Sequence, residues 1–211
     1  MIFSNLFTPA ILALATSVAA IPLQLQERGE QIVIGYRRCA KEQAEDYIKA
    51  GTVTYDASFP DWGKQIGAGT YTTPGRDDYE PMADPDSWYC VISADKDRIN
   101  DVSKAWIPKI SPFDGKTKLW NQNKEDNINK YIKQLEDSWN PEKTIRMAYI
   151  AGAKTPTYQL LIPPKLHNDQ GGALGITVKC SAKKDDIKDT RVDYDDWKDN
   201  IKGDKGSDTK K

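Results

Sequence analysis

With 211 residues, 30 basic and 31 acidic side chains, the chain has no cationic surplus for neutralising phosphates, so nucleic acid is not expected as its main partner. One histidine and three scattered cysteines cannot compose a zinc site, and the acidic runs lack the calcium-loop pattern, so no metal is expected either. The length suits one domain with its own core.

Residues 1–20 read as a secretory signal peptide. An uncharged start leads into the apolar run Ala10–Ala15, and Val18-Ala19-Ala20 supplies the small residues a signal peptidase needs. Thr8-Pro9 and Thr16-Ser17 interrupt the run, which is too short to be a membrane anchor, and no later stretch could span a bilayer. The mature protein is therefore expected outside the cell, without a membrane. In that oxidising setting three cysteines imply one disulfide and one free thiol. Cys90 and Cys180 both lie in β-like runs and are the favoured pair, which leaves Cys39 as a small hydrophobe beside the core. A nucleophilic role for Cys39 is poorly supported, since His167 lies far away in sequence.

A polar lead-in, 21–29, precedes a first strand, Gln31 to Arg37, expected to be buried on both faces at Ile32, Val33 and Ile34. Ala40 to Ala50 reads as a short helix with Ala40, Ala44, Tyr47 and Ile48 on its inner side and Gly51 closing it. An aromatic loop (Phe59-Pro60-Asp61-Trp62) leads to Gln65-Ile-Gly-Ala-Gly-Thr-Tyr-Thr-Thr-Pro74, followed by an acidic, Pro-rich lid candidate over 74–85. Trp88 to Ala94 is a strand, Asp95 to Arg98 a turn and Ala105 to Pro108 a short extended piece. Ile128, Tyr131, Ile132 and Leu135 mark a helix over 123–139. Strands are expected at Arg146–Ala151, Thr157–Ile162 and Ile176–Cys180. Residues 183–211 contain nine basic and nine acidic side chains in 29 and read as a solvated, flexible tail, with a docked or partner-binding segment around Trp197 as the alternative.

The candidate site lies where the first strand and the glycine segment face one another. Gly67 and Gly69 let a ligand lie against the backbone, Tyr71 offers a ring, and Thr72 and Thr73 offer hydroxyls. Tyr36 and Arg37 bring a second ring and a guanidinium fork, so an anionic, ring-bearing ligand is indicated. A tight turn at Gly67-x-Gly69 and a surface role for Arg37 are the plainer readings of each piece alone.

The run Ile34-Gly-Tyr-Arg37, then a short helix and Lys49-Ala-Gly51, resembles the opening of the secreted ADP-ribosyltransferase toxins of the enterotoxin-A type. Ile66-Gly-Ala-Gly-Thr-Tyr71 is similar to the second motif of the poly-ADP-ribose-polymerase-like branch, and Thr72-Thr73-Pro74 partly matches the toxins' Ser-Thr-Ser. The resemblance implies an α+β, ADP-ribosyltransferase-like fold over 21–182, with two small packed β-sheets and flanking helices. It implies NAD as co-substrate, with Arg37 on its phosphate and ribose part and Tyr71 on nicotinamide. It also implies a host or competitor protein as target and a secreted, fungal-type toxin or effector.

The third family motif, a glutamate on a late strand, matches Thr157-Tyr-Gln159-Leu-Leu-Ile-Pro163 with glutamine in its place. An amide can bond a ribose hydroxyl but supplies no negative charge opposite a developing cation. Three readings stay open: an enzyme drawing a carboxylate from Asp77, Asp78, Glu80 or Glu142; an inactive binding protein of the same fold; or an unrelated small extracellular domain that makes protein contacts.

Overall fold

The computed structural model describes residues 29–56, 64–78, 86–121, 125–153, 155–170 and 172–206. The expected leader, the lead-in up to residue 28, the Phe59–Trp62 loop and most of the lid candidate, Glu80 included, lie outside the described residues.

The described residues are α+β, with two β-sheets and three helices among them: β1 (Gln31–Cys39), α1 (Lys41–Ala50), β2 (Thr70–Thr72), β3 (Trp88–Asp95), α2 (Lys96–Asp101), β4 (Lys104–Trp106), α3 (Glu125–Leu135), β5 (Ile145–Tyr149), β6 (Tyr158–Ile162), β7 (Thr177–Ser181) and β8 (Ile201–Lys202). One sheet has the order β1-β3-β7 and is antiparallel; the other has the order β2-β6-β5-β4-β8, with β4 parallel to both β5 and β8. Sheet pleating divides the residues of β6 between two cores. Leu160 and Ile162 join Met147, Trp106, Ile34, Ile92, Ala44 and Tyr47 in a cluster drawn from both sheets and α1. Leu161 faces the other way, with Ala148, Ile66 and the α3 residues Ile128, Tyr131 and Ile132.

The two sheets meet where β1 passes β2. Tyr36 and Thr73 exchange a reciprocal pair of main-chain hydrogen bonds, both 2.8 Å. Gly35 makes the approach possible, because a Cβ there would overlap the Thr72 hydroxyl. The register of β1 against β3 slips between Val33 and Gly35, so only Ile34 of the Ile32–Ile34 run is fully buried, and the expectation of burial on both faces fails for its neighbours.

α1 ends as its sequence predicts, with Gly51 at φ 66° returning its N–H to Ile48. Its inner stripe is Gln43, Ala44 and Tyr47, whereas Ile48 is 49% exposed. The helix is rotated toward Gln43, whose amide oxygen accepts from Arg37 (3.2 Å). The turn expected at 95–98 is α2: the Asp95 carboxylate caps it by accepting from the N–H groups of Asp97 (3.1 Å) and Arg98 (3.2 Å).

Cys90 and Cys180 are bonded, at directly opposed positions of β3 and β7. Cys39 is the free cysteine, buried with its sulfur 3.8 Å from that of Cys90.

The charged C-terminal segment is not a solvated tail. Residues 183–206 run back over the fold as a strap: Ile187 and Tyr194 are each only 1% exposed, and β8 completes the larger sheet beside β4. The Tyr194 hydroxyl donates to the Ile34 carbonyl (3.2 Å), and the Val192 N–H donates to Pro74 (3.0 Å). A few apolar side chains, spaced irregularly enough to escape any periodicity, bury while the charges face outward.

Candidate functional site

Arg37, near the end of β1, is half-buried and fixed at two points. One terminal nitrogen donates to the main-chain oxygen of Tyr71 (3.1 Å) and the other to Gln43 of α1 (3.2 Å), while Nε has no partner. A guanidinium has five N–H donors, so each terminal nitrogen keeps a second hydrogen for an anion. Arg37 and Tyr71 thus come together, as the sequence suggests, but through the tyrosine's backbone.

The phenol of Tyr71 has a different task. It donates to the Gly67 carbonyl (2.7 Å) and accepts from the Ile66 N–H (3.0 Å), closing the glycine segment on itself. Gly67 and Gly69 both have positive φ, 112° and 146°. Each has a tight neighbour within the protein: a Cβ on Gly69 would overlap the Ile162 carbonyl, and one on Gly67 would run into the Arg146 guanidinium and stand 2.6 Å from Glu125 Oε2. Tyr36 does not present its ring beside Arg37. It is 1% exposed, and its hydroxyl accepts from the Thr190 N–H (2.7 Å) and donates to the Lys188 carbonyl (3.1 Å), so it anchors the strap. Thr72 is buried against Gly35, and Thr73 donates through its hydroxyl to the Gly75 carbonyl (2.9 Å).

Gln159 lies on β6, on the same face as Leu161, which pairs with Tyr71. It is 7% exposed, and its amide donates weakly to the Tyr149 carbonyl (3.4 Å), which also accepts from Gln65 (2.7 Å). The carboxylates offered as substitutes are engaged elsewhere or exposed. Asp77 binds Arg76 and Lys184, Asp78 binds Arg191 and the Gly75 N–H, and Glu142 is exposed in a single turn beside Pro141.

Three residues not assigned to the site from the sequence, Arg146, Gln43 and His167, shape the region. Arg146, 1% exposed on β5, donates to the Ile66 carbonyl (3.0 Å), to Glu125 (2.5 Å) and to Asn129 (3.3 Å). The glycine segment therefore wraps a buried guanidinium, and the charged residue inside the apolar run Ile145-Arg-Met-Ala148 was the available signal. Gln43 orients Arg37. His167 is brought to the end of β6, where its Nε2 lies 3.3 Å from the Ile162 carbonyl and Nδ1 has no partner.

Burial pushes the His167 imidazole down to about 4, with the nearby Arg37 charge adding in the same direction against Asp169 and the Ile162 carbonyl. The unfolded chain binds the proton more readily, so this group contributes stability above about pH 6.5 that is lost as pH falls toward 4. The loss is on the order of 3 kcal/mol. Urea midpoints should drop more between pH 7 and pH 4 for the native protein than for His167→Gln; equal drops would contradict the assignment. Burial likewise raises the Cys39 thiol to about 11, against a smaller lowering by Arg37, so Cys39 is an inert core group and not a nucleophile.

Among the described residues no group of His, Cys, Asp and Glu could hold a metal ion, and no helix is long and apolar enough to cross a membrane. A family model matches residues 64–204. The chain belongs to DUF5910, a family of unknown function. The DUF5910 match takes in everything from β2 to β8, with the strap as far as Asp204, and leaves β1 and α1, with Arg37 and Gln43, ahead of it. No curated protein matches the chain.

Proposed function

We propose that this is a secreted protein with an ADP-ribosyltransferase-type NAD site at the β1–β2–β6 seam, used to hold the dinucleotide and not to cleave it. The observation that carries the reading is strand adjacency. The strands bearing the three motif-like runs are neighbours, β1 bridged to β2 at Tyr36–Thr73 and β2 paired with β6. Arg37 has N–H donors to spare for a diphosphate, and the position of the family's glutamate holds the amide of Gln159, which cannot oppose a developing oxocarbenium charge.

Glu125 supports a second reading, in which the protein is a mono-ADP-ribosyltransferase or NAD glycohydrolase acting as a toxin or effector on a host or competitor protein. Its carboxylate stands beside Gly67, partly exposed and paired with Arg146.

Calorimetric titration with NAD, alongside an assay of nicotinamide release, separates the two. Binding is expected in the native protein, weakened at least tenfold in Arg37→Ala and also in Arg37→Lys, since an ammonium cannot reproduce the fork. No release is expected. Release that disappears in Glu125→Gln selects the enzyme, and absence of any NAD binding overturns both readings.

A further inference from the structure

The strap builds a second constellation that NAD binding does not use. Tyr194, Asp195 and Trp197 of the strap, with Trp106 of β4, line a cavity of about 380 Å³. The chain's own Lys205 also lines it. The ammonium lies 4.9 Å from the ring centre of Trp106 and 5.5 Å from that of Tyr158, and it is ion-paired with the Asp195 carboxylate.

Trp106 and Tyr158 meet edge to face, with centroids 5.0 Å apart and planes at 61°, so the cation is flanked by two differently inclined rings. Tyr194 and Trp197, also 5.0 Å apart, form a further aromatic wall. Ring quadrupoles together with one carboxylate are the chemistry that holds an alkylammonium group out of water. The other lysines at the cavity are engaged, Lys202 with Glu136 and Lys198 with the Asp195 carbonyl. Lys205 itself lies beyond the end of β8, between Gly203 and Gly206, whose φ values are 100° and 69°.

We propose that Trp106, Tyr158 and Asp195 form a binding site for an alkylammonium group, a lysine-type side chain or a choline-type head group, and that Lys205 occupies it as an intramolecular stand-in. A quaternary ammonium, more weakly hydrated than a primary one, suits a site walled by aromatic rings better. This inference does not rest on the NAD reading.

Tryptophan fluorescence of the full chain is titrated with tetramethylammonium at constant ionic strength, in the native protein, Lys205→Ala, Lys205→Met and Lys205→Ala/Asp195→Asn. The two single variants should bind saturably and at least tenfold more tightly than the native protein. Adding Asp195→Asn should weaken that binding at least fivefold. Methionine keeps the apolar stem, so a folding defect in the alanine variant does not decide the outcome. Choline and a trimethyllysine peptide, titrated against Lys205→Met, then distinguish a head group from a side chain by which binds more tightly. The proposal is overturned if neither single variant responds saturably, or if the response is indifferent to Asp195→Asn.

Discussion

Gly67→Ala should lower stability by about 3 kcal/mol or more, where Gly51→Ala costs about 1 kcal/mol, although both glycines have positive φ. At Gly51 nothing lies within 4 Å of an added Cβ, so alanine meets only the intrinsic penalty of the left-handed region. At Gly67 the same methyl adds about 1 to 3 kcal/mol of backbone strain and also meets the Arg146 guanidinium and the Glu125 carboxylate. Arg146 cannot yield cheaply, because it is buried and its two terminal nitrogens are bonded to Ile66, Glu125 and Asn129. Crowding a buried guanidinium adds about 1 to 3 kcal/mol, while the pair with Glu125, which is 46% exposed, adds less, about 1 kcal/mol at most. Thermal unfolding of the two variants beside the native protein should show a gap of at least roughly 4 to 8 °C for a chain of this size. Equal, small shifts would mean that the glycine segment is not held around Arg146. If NAD binding were lost with stability kept, Gly67 would be there for the ligand.

That contrast shows where reading the sequence succeeds and where it stops. Local rules place α1 and its Gly51 terminus and the strands around Cys90 and Leu161, because each depends on neighbours in sequence or on a pattern of period two or 3.6, and the disulfide follows once Cys90 and Cys180 are both put on strands. The meeting of Arg37 with Tyr71, across two sheets, is no local feature and was suggested by the family resemblance. The role of Gly67 depends on Arg146, 79 residues downstream, and local rules cannot see a guanidinium arriving from another strand. Gln43 reads as a surface polar residue until Arg37 is known to need an acceptor, and His167 reads as a loop residue until β6 delivers it to the seam. Asp95 is the exception: an aspartate before Lys-Asp-Arg is a capping signal, and α2 was legible in principle.

Ending the chain at residue 182 should abolish cooperative folding, because the strap is part of the core. Its removal uncovers the sites of Ile187 and Tyr194, each burial contributing about 1.5 to 3 kcal/mol. It takes from the buried Tyr36 hydroxyl its bonds to Lys188 and Thr190, a desolvated group left unpaired at about 1 to 3 kcal/mol. It also strips β8 from β4 and leaves Arg76 without the Lys184 and Ile187 carbonyls it caps. Together these approach the whole stability of an ordinary domain, about 5 to 15 kcal/mol. Near-ultraviolet circular dichroism and a thermal melt of the shortened chain should show no native tertiary signal and no sharp transition. A graded series tests the same point within the full chain. Tyr194→Phe loses the hydroxyl's bond to Ile34, about 1 kcal/mol, while Tyr194→Ala empties a buried aromatic site at about 3 to 5 kcal/mol. A shortened chain that melts like the full one would return residues 183–206 to the status of a tail. Average composition is the wrong measure for this segment. Nine acidic and nine basic residues are compatible with docking provided Ile187, Tyr194 and Ile201 each find a place, and a mean over 29 residues hides those three.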